Sequence, residues 1–211
     1  MAINAATLEM LLKSASQSEG PKRLACLGYP DMLVTDAQLI ALCGADILDR
    51  VRFRDDFAAI LQWHGLTGQL VHVAESQSLF AAVGITADFI DIRASRGCEI
   101  EADLNQPLPG ELCGRYDLIY DGGTTEHCFN IGQVMRNILK LGKVGAYIVH
   151  NNPLNYYNHG FFNFNPTFYH DFYTQSGNRI ASEFYGLHGP SLQPQIATMP
   201  RCRVSGRCPN E

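Results

Sequence analysis

Several residue groups in this sequence are of types and spacings that could do chemistry. Three carboxylates close apolar, strand-like runs: Asp91 after Phe89-Ile90, Asp103 in Glu101-Ala-Asp-Leu104, and Asp121 after Tyr116-Asp-Leu-Ile-Tyr120. A carboxylate at the end of a parallel strand can accept two hydrogen bonds from a vicinal diol, as in ribose binding. Asp91 is placed for that role, and Asp103 for an exocyclic amino group of a base. Each acid alone reads equally as a solvated turn cap; acids at successive strand ends are the more specific pattern. Asp121 runs into Gly122-Gly123, where a bare backbone can approach a ligand closely.

The first strand-like run, Lys22 to Leu27, ends in Gly28-Tyr29-Pro30-Asp31. A dinucleotide fold wants Gly-x-Gly-x-x-Gly there, to seat a pyrophosphate on a helix N-terminus. One glycine followed by an acid repels a pyrophosphate and suits a sulfonium. On charge this favours S-adenosyl-L-methionine over NAD. Nine aromatic rings lie within the 18 residues from Tyr156 to Tyr173. Part of that cluster must plug the sheet end. Asn152, Tyr156, His159 and Phe161 are candidates for a box around a sulfonium or a substrate, because a cation over ring faces gains about 0.5–2 kcal/mol.

His127 follows Glu126 at the expected start of a helix, which keeps its imidazole neutral and able to act as a general base. Tyr157 and Tyr169 are candidates to orient a substrate beside it. Both Glu126 and His127 read otherwise as packing and capping residues. His150, His159, His170 and Asp171 lack a compact metal-ligand spacing, and Cys202 and Cys208 lack a Cys-x-x-Cys spacing, so no metal is expected. There is no Gly-x-Ser-x-Gly elbow and no phosphate-binding Walker loop.

Alternating elements must position these groups. Strands are expected at Lys22–Gly28, Gln69–Val73, Thr86–Ile92, Glu99–Leu104, Tyr116–Asp121, Ala146–Val149 and Ile180–Leu187. Helical spacing appears at Thr7–Lys13, Asp36–Cys43, Arg54–His64, Glu75–Val83, Glu126–Leu141 (capped by Thr124 or Thr125) and Pro166–Ser176. Strands separated by helices imply βαβ units and a parallel sheet, with ligands beyond the strands' carboxyl ends.

The 211 residues suit one domain. Apolar residues make up 46% and charged residues 18%, which is ordinary globular usage and excludes disorder and coiled coil. Net charge is −5, with no Lys/Arg run, so no nucleic-acid partner is expected. No apolar stretch nears the roughly 20 residues that span a bilayer. The seven cysteines are scattered and odd in number. They read as reduced thiols of a cytoplasmic protein.

The chain resembles the class I S-adenosylmethionine-dependent methyltransferases, in particular a bacterial branch with an Asp-Gly-Gly-Thr-x-Glu-His segment. The carriers are Phe89-Ile-Asp-Ile92, Glu101-Ala-Asp-Leu-Asn-Gln-Pro-Leu-Pro109, Tyr116-Asp-Leu-Ile-Tyr-Asp-Gly-Gly-Thr-Thr-Glu-His127, Val144-Gly-Ala-Tyr-Ile148 and Asn158-His-Gly-Phe-Phe-Asn-Phe-Asn-Pro166. The likeness implies an α/β, Rossmann-like, doubly wound and mostly parallel sheet with helices on both faces. It implies a single domain over residues 1–211, with a helical lid insert at 32–73 and an irregular tail at 189–211. It assigns Asp91 to the ribose hydroxyls, Asp103 and Leu104 to the adenine edge, and Asp121, Gly122 and Gly123 to the methionine part. Gly28, Tyr29 and Asp31 become the cofactor loop. The implied activity is methyl transfer from S-adenosyl-L-methionine to a small-molecule or sugar-like acceptor, with neither nucleic acid nor membrane as partner and with room for a homodimer. The one-glycine loop departs from the family, which usually carries two or three glycines. Two alternatives therefore stand: a cyclase or lyase that releases methylthioadenosine, for example by forming azetidine-2-carboxylate, and a non-catalytic module with the same fold.

Overall fold

Leu24 to Leu27 are buried, and so are all six residues of Tyr116–Asp121. Runs buried on both sides belong at the centre of a parallel sheet covered by helices on each face. The computed structural model describes residues 1–17, 20, 22–187 and 195–203. Its elements in chain order are β1 (Ala2–Asn4), α1 (Ala5–Ser16), β2 (Lys22–Leu27), β3 (Asp31–Leu33), α2 (Asp36–Cys43), α3 (Ile47–Arg50), α4 (Phe57–Trp63), α5 (Ser76–Ala82), β4 (Ile85–Asp91), β5 (Ile100–Glu101), β6 (Tyr116–Asp121), α6 (Ile131–Leu141), β7 (Gly142–His150), α7 (Pro166–Gln175), β8 (Arg179–Leu187) and β9 (Gln195–Arg203).

Five strands pair in the order β5-β4-β2-β6-β7, all parallel. Alternate residues face opposite helical layers, as strand geometry requires. Leu24, Cys26, Leu118 and Tyr120 pack with Leu8 and Leu11 of α1, Leu39 of α2 and Phe80 of α5. Ala25, Leu27 and Ile119 pack with Val134, Met135 and Ile138 of α6 and with Tyr173 of α7. The fold is therefore α/β and Rossmann-like. Strand order reverses between β2 and β6, which makes that crevice the place for a ligand.

The insert at 32–73 is helical, but Leu39, Ile47, Ile60, Leu61, Leu66, Leu70 and Val73 are buried in the same core as Leu24 and Phe89. It is a packed layer of the domain and not a loose cover. The expected strand at Gln69–Val73 does not form. Instead Val73 O accepts from Arg54 N, and Ala74 makes isolated bridges to Met32 and Phe53. The strand expected at 99–104 shrinks to two residues, because Glu99 caps Arg96 N and Cys98 N and Asp103 caps Asn105 N.

The helix expected from Glu126 starts at Ile131 instead, capped by Asn130, and Thr125–His127 form a short 3-10 turn. Asp121 Oδ1 accepts from both Thr124 N and Thr125 N and folds the chain over the strand end, while Asn130 N, which would close the first turn on Glu126 O, donates instead to Asn105 Oδ1. Within the tail expected to be irregular, β9 pairs antiparallel with β8. Its β-branched Ile196 and Thr198 suit a strand, and Pro200 is tolerated at an edge. Residues 188–194 and 204–211, with Cys208, lie outside the described residues. Cys26, Cys43, Cys98, Cys113 and Cys128 are free thiols. Among the described residues no helix is long and apolar enough to cross a membrane.

Candidate functional site

At the rim, β2 ends in Gly28, whose φ of +88° only glycine adopts freely. Its N–H donates to Ile90 O at 2.6 Å, tying the ends of β2 and β4 together. A Cβ at Gly28 would strike Met1 Cε and lie 3.2 Å from Thr124 Oγ1 and 3.4 Å from Asp91 Oδ2. A bare backbone, a hydroxyl and a carboxylate thus converge where the strand order reverses. Asp91 Oδ1 accepts from Arg93 N at 3.3 Å, while Oδ2 faces Gly28 and takes no hydrogen bond among the described residues. The Thr124 hydroxyl donates to Leu27 O and bridges β2 to the turn after β6. The half-buried Met1 side chain lies across the same point, its Sδ 4.0 Å from Thr124 Oγ1.

The rest of the expected cofactor loop is used differently. Asp31 is engaged by the protein's own cationic side chains. It opens β3, paired with β1, and its carboxylate meets His64 Nε2 at 2.9 Å and Arg96 at 3.7 Å. Tyr29 packs against Phe89, lies under the Arg96 guanidinium and donates to Glu75 Oε1 at 2.6 Å. Burial and that carboxylate push its phenol well above the ordinary range. The positive charge of Arg96 therefore offsets the acidity read from the sequence.

Asp121 is also turned inward. Its carboxylate is fully buried, with Oδ1 on Thr124 N and Thr125 N and Oδ2 on His150 Nδ1 at 2.9 Å and Asn152 Nδ2 at 3.0 Å. Burial alone would raise its pKa, but His150 and the other donors outweigh it and hold the group below its ordinary value. Asp121 organises the rim through these four donors. Gly122 is glycine because a Cβ would lie 2.5 Å from the Tyr120 ring, and Gly123 because its φ is +96°.

Asn152 joins this centre to a second carboxylate. Its Nδ2 also donates to Glu126 Oε2 at 2.9 Å, and its Oδ1 accepts from Tyr169 OH at 2.7 Å. Two carboxylates on one side and a hydroxyl on the other fix the amide's orientation. Tyr169 stacks near His150, and burial pushes its phenol far above the ordinary range, so it stays a donor. It acts through Asn152. His127 lies in the 3-10 turn, so the helix N-terminus argument for a neutral base there falls away. It is exposed, with its ring edge-on to His159 at 4.9 Å. His159 Nε2 stands 3.4 Å from Glu126 Oε1.

The aromatic cluster divides. Phe164 and Tyr173 are buried and plug the sheet end, while Tyr156 and Phe161 stay exposed along the rim, Tyr156 against His159 and Phe161 against Phe129. Tyr157 is 94% exposed. Asp103 is exposed and spends Oδ1 on Asn105, while Leu104 is buried, its carbonyl held by Asn137 Nδ2 at 2.9 Å. Thr124, Met1 and the grouping of Glu126 with His127 and His159 escaped the sequence reading. Only tertiary packing brings them together.

No protein-family model and no curated protein sequence matches the chain. Solved structures do. The citrinin polyketide synthase CMeT domain superposes with a TM-score of 0.51 at 9% identity, over 96% of this chain and 52% of that one. The CurJ carbon methyltransferase superposes with a TM-score of 0.54 at 9% identity, over 97% and 54%. The chain spans about half the length of these two. A SAM dependent methyltransferase from Archaeoglobus fulgidus matches at a TM-score of 0.46 and 11% identity, over 88% of this chain and 73% of that one. The likeness is one of fold: the sheet and its helical layers are those of methyltransferase domains.

Proposed function

We propose that this chain binds S-adenosyl-L-methionine across the β2–β6 crevice and transfers its methyl group to a small-molecule or sugar-like acceptor. The convergence of Gly28, Asp91 and Thr124 where strand order reverses carries the reading. Asp91 Oδ2 is an acceptor facing a bare glycine backbone, which is the chemistry a ribose diol needs. Asp103 and Leu104 sit on the neighbouring edge, next to β5, for the base. Asp31 is paired with His64 and Arg96, and Asp121 is saturated by the protein, so the methionine end is left to backbone groups of the Gly28 and Gly122-Gly123 turns. The methyltransferase fold of the neighbours supports the same cofactor class.

The bound cofactor supplies an electrophilic methyl group. The chain's own residues hold and align. Asp91 fixes the ribose, Thr124 keeps the two strand ends together, and Tyr156 and Phe161 shield the rim from water. Alignment of acceptor and methyl group is itself a large part of such a reaction's acceleration. Met1 must swing aside to admit a ligand to Gly28. Its unbranched side chain has three rotatable bonds and does so at low cost.

Calorimetry with S-adenosyl-L-methionine and S-adenosylhomocysteine tests the reading. Asp91→Ala is expected to weaken both by roughly 10-fold or more, since a charge-assisted hydrogen bond contributes about 1.5–3 kcal/mol. Equal affinity in wild type and variant would remove Asp91 from the site. Mass spectrometry of the turnover mixture separates the chemistries. S-adenosylhomocysteine marks transfer, methylthioadenosine marks the cyclase, and no binding of either ligand leaves a non-catalytic module.

A further inference from the structure

We infer that Glu126, His127 and His159 form a binding site for a divalent transition metal at the mouth of the crevice. One ligand atom from each lies within 4.8 Å of the other two. Two imidazoles and one carboxylate are a donor set for zinc, iron, cobalt or manganese, and three protein ligands leave positions open for a further ligand.

The local structure is built to hold this grouping. Glu126 is 1% exposed and its backbone carbonyl accepts from Phe161 N at 2.7 Å and Phe162 N at 3.3 Å. Asn158 has a φ of +58°, unusual for a residue with a side chain, and Gly160 has a φ of +69°. A Cβ at Gly160 would lie 2.7 Å from Glu126 O and 2.9 Å from its Cγ. That turn therefore presses directly onto Glu126, and it lays His159 between them. The other carboxylate oxygen, Oε2, is fixed by Asn152 Nδ2, which leaves Oε1 turned toward the imidazoles. Carboxylates that ligate metals are held by such outer hydrogen bonds.

The separations also suit an ion better than a direct bond. Glu126 Oε1 and His159 Nε2 are 3.4 Å apart. A charge-assisted hydrogen bond is about 2.7–2.9 Å. Ligand atoms at about 2.0–2.1 Å from a tetrahedral metal stand roughly 3.4 Å from one another. Only His127 has to close in, and it is exposed. The exposed ring of Tyr156 packs against His159. Resting on the methyltransferase reading, the ion's place is to hold an acceptor that offers two adjacent oxygens, such as a hydroxyl beside a carbonyl or a second hydroxyl.

The test uses the chelator-treated full chain and cobalt(II) chloride alone, with no S-adenosyl-L-methionine present. Failure here is thereby distinct from failure of the cofactor reading. Visible d–d bands of nitrogen and oxygen ligation are expected to saturate at one ion per chain, and zinc(II) is expected to displace them. His159→Ala and His127→Ala each weaken binding by at least 10-fold, and the double variant loses the bands. His127 is exposed and His159 half-buried, and thermal melting verifies that these variants keep their fold. Asn152→Ala weakens binding by roughly 10–100-fold through the loosened carboxylate. Absent bands in the wild type, or bands that survive in the double variant, would overturn the site.

Discussion

The two halves of the crevice handle their carboxylates in opposite ways. On the β2–β4 side, half-buried Asp91 keeps one oxygen unclaimed among the described residues and turned toward Gly28. On the β6–β7 side, Asp121 is fully buried and every oxygen is spent on Thr124, Thr125, His150 or Asn152. A carboxylate can leave water only when donors replace its hydration, and four donors do so for Asp121. A ligand-binding acid needs the reverse, an acceptor held in place but left over. Both are strand-end aspartates, yet one is the keystone of the rim and the other its open receptor.

Breaking the keystone is expected to have the largest effect. Asp121→Asn sets an amide N–H₂ against existing donors, and each buried donor left without its acceptor costs about 1–3 kcal/mol. Chemical denaturation of wild type and variant measures it. The pH dependence follows from the depressed pKa. Asp121 contributes stability at pH values above its ordinary 3.8, and that contribution is lost as pH falls through its lower folded value. The variant should show a flatter acid limb. An equally steep limb in both proteins would place the acid sensitivity elsewhere.

Gly28→Ala strikes the receptor side. The φ of +88° strains any side chain, and the new methyl group meets Met1, Thr124 and Asp91. The backbone strain costs about 1–3 kcal/mol. The added methyl also fills the point where ligand and backbone would meet. The expected outcome is a moderate loss of stability together with loss of S-adenosyl-L-methionine binding, whereas Asp91→Ala should lose affinity at unchanged melting temperature. A Gly28→Ala protein that binds at wild-type strength would move the ligand away from β2.

Periodicity carried most of the fold. Asp36–Cys43 and Tyr116–Asp121 are visible to the residue, because a capping box at Thr35 and Gln38 and a two-sided apolar run are local features. The start of α6 was not legible, because Asn130 N, which a helix starting at Glu126 would give to Glu126 O, donates to Asn105 Oδ1, while Glu126 O accepts from Phe161 N and Phe162 N. The site divides on the same principle. Strand ends located Asp91, Gly28 and Asp121. Whether each acid is free or saturated depends on partners far along the chain, such as Arg96 and His64 for Asp31 and His150 for Asp121. Adjacent Glu126-His127 hinted at a site, but its third member lies beyond a helix and a strand.

The smallest effects separate two tyrosines that the sequence treats alike. Tyr169→Phe removes the hydroxyl on Asn152 Oδ1 and leaves that amide oxygen short of a donor, for about 1 kcal/mol. In a chain of this size that lowers the melting temperature by roughly 2–4 °C. Because Asn152 also holds Glu126 and Asp121, turnover should fall with it. Tyr157→Phe removes a hydroxyl from a ring that is 94% exposed, so melting temperature and turnover should match wild type. Parallel melts and product assays decide. A Tyr157→Phe protein with impaired turnover would mean that this ring folds onto the substrate, and the keystone side would then extend past Asn152 to the outer loop.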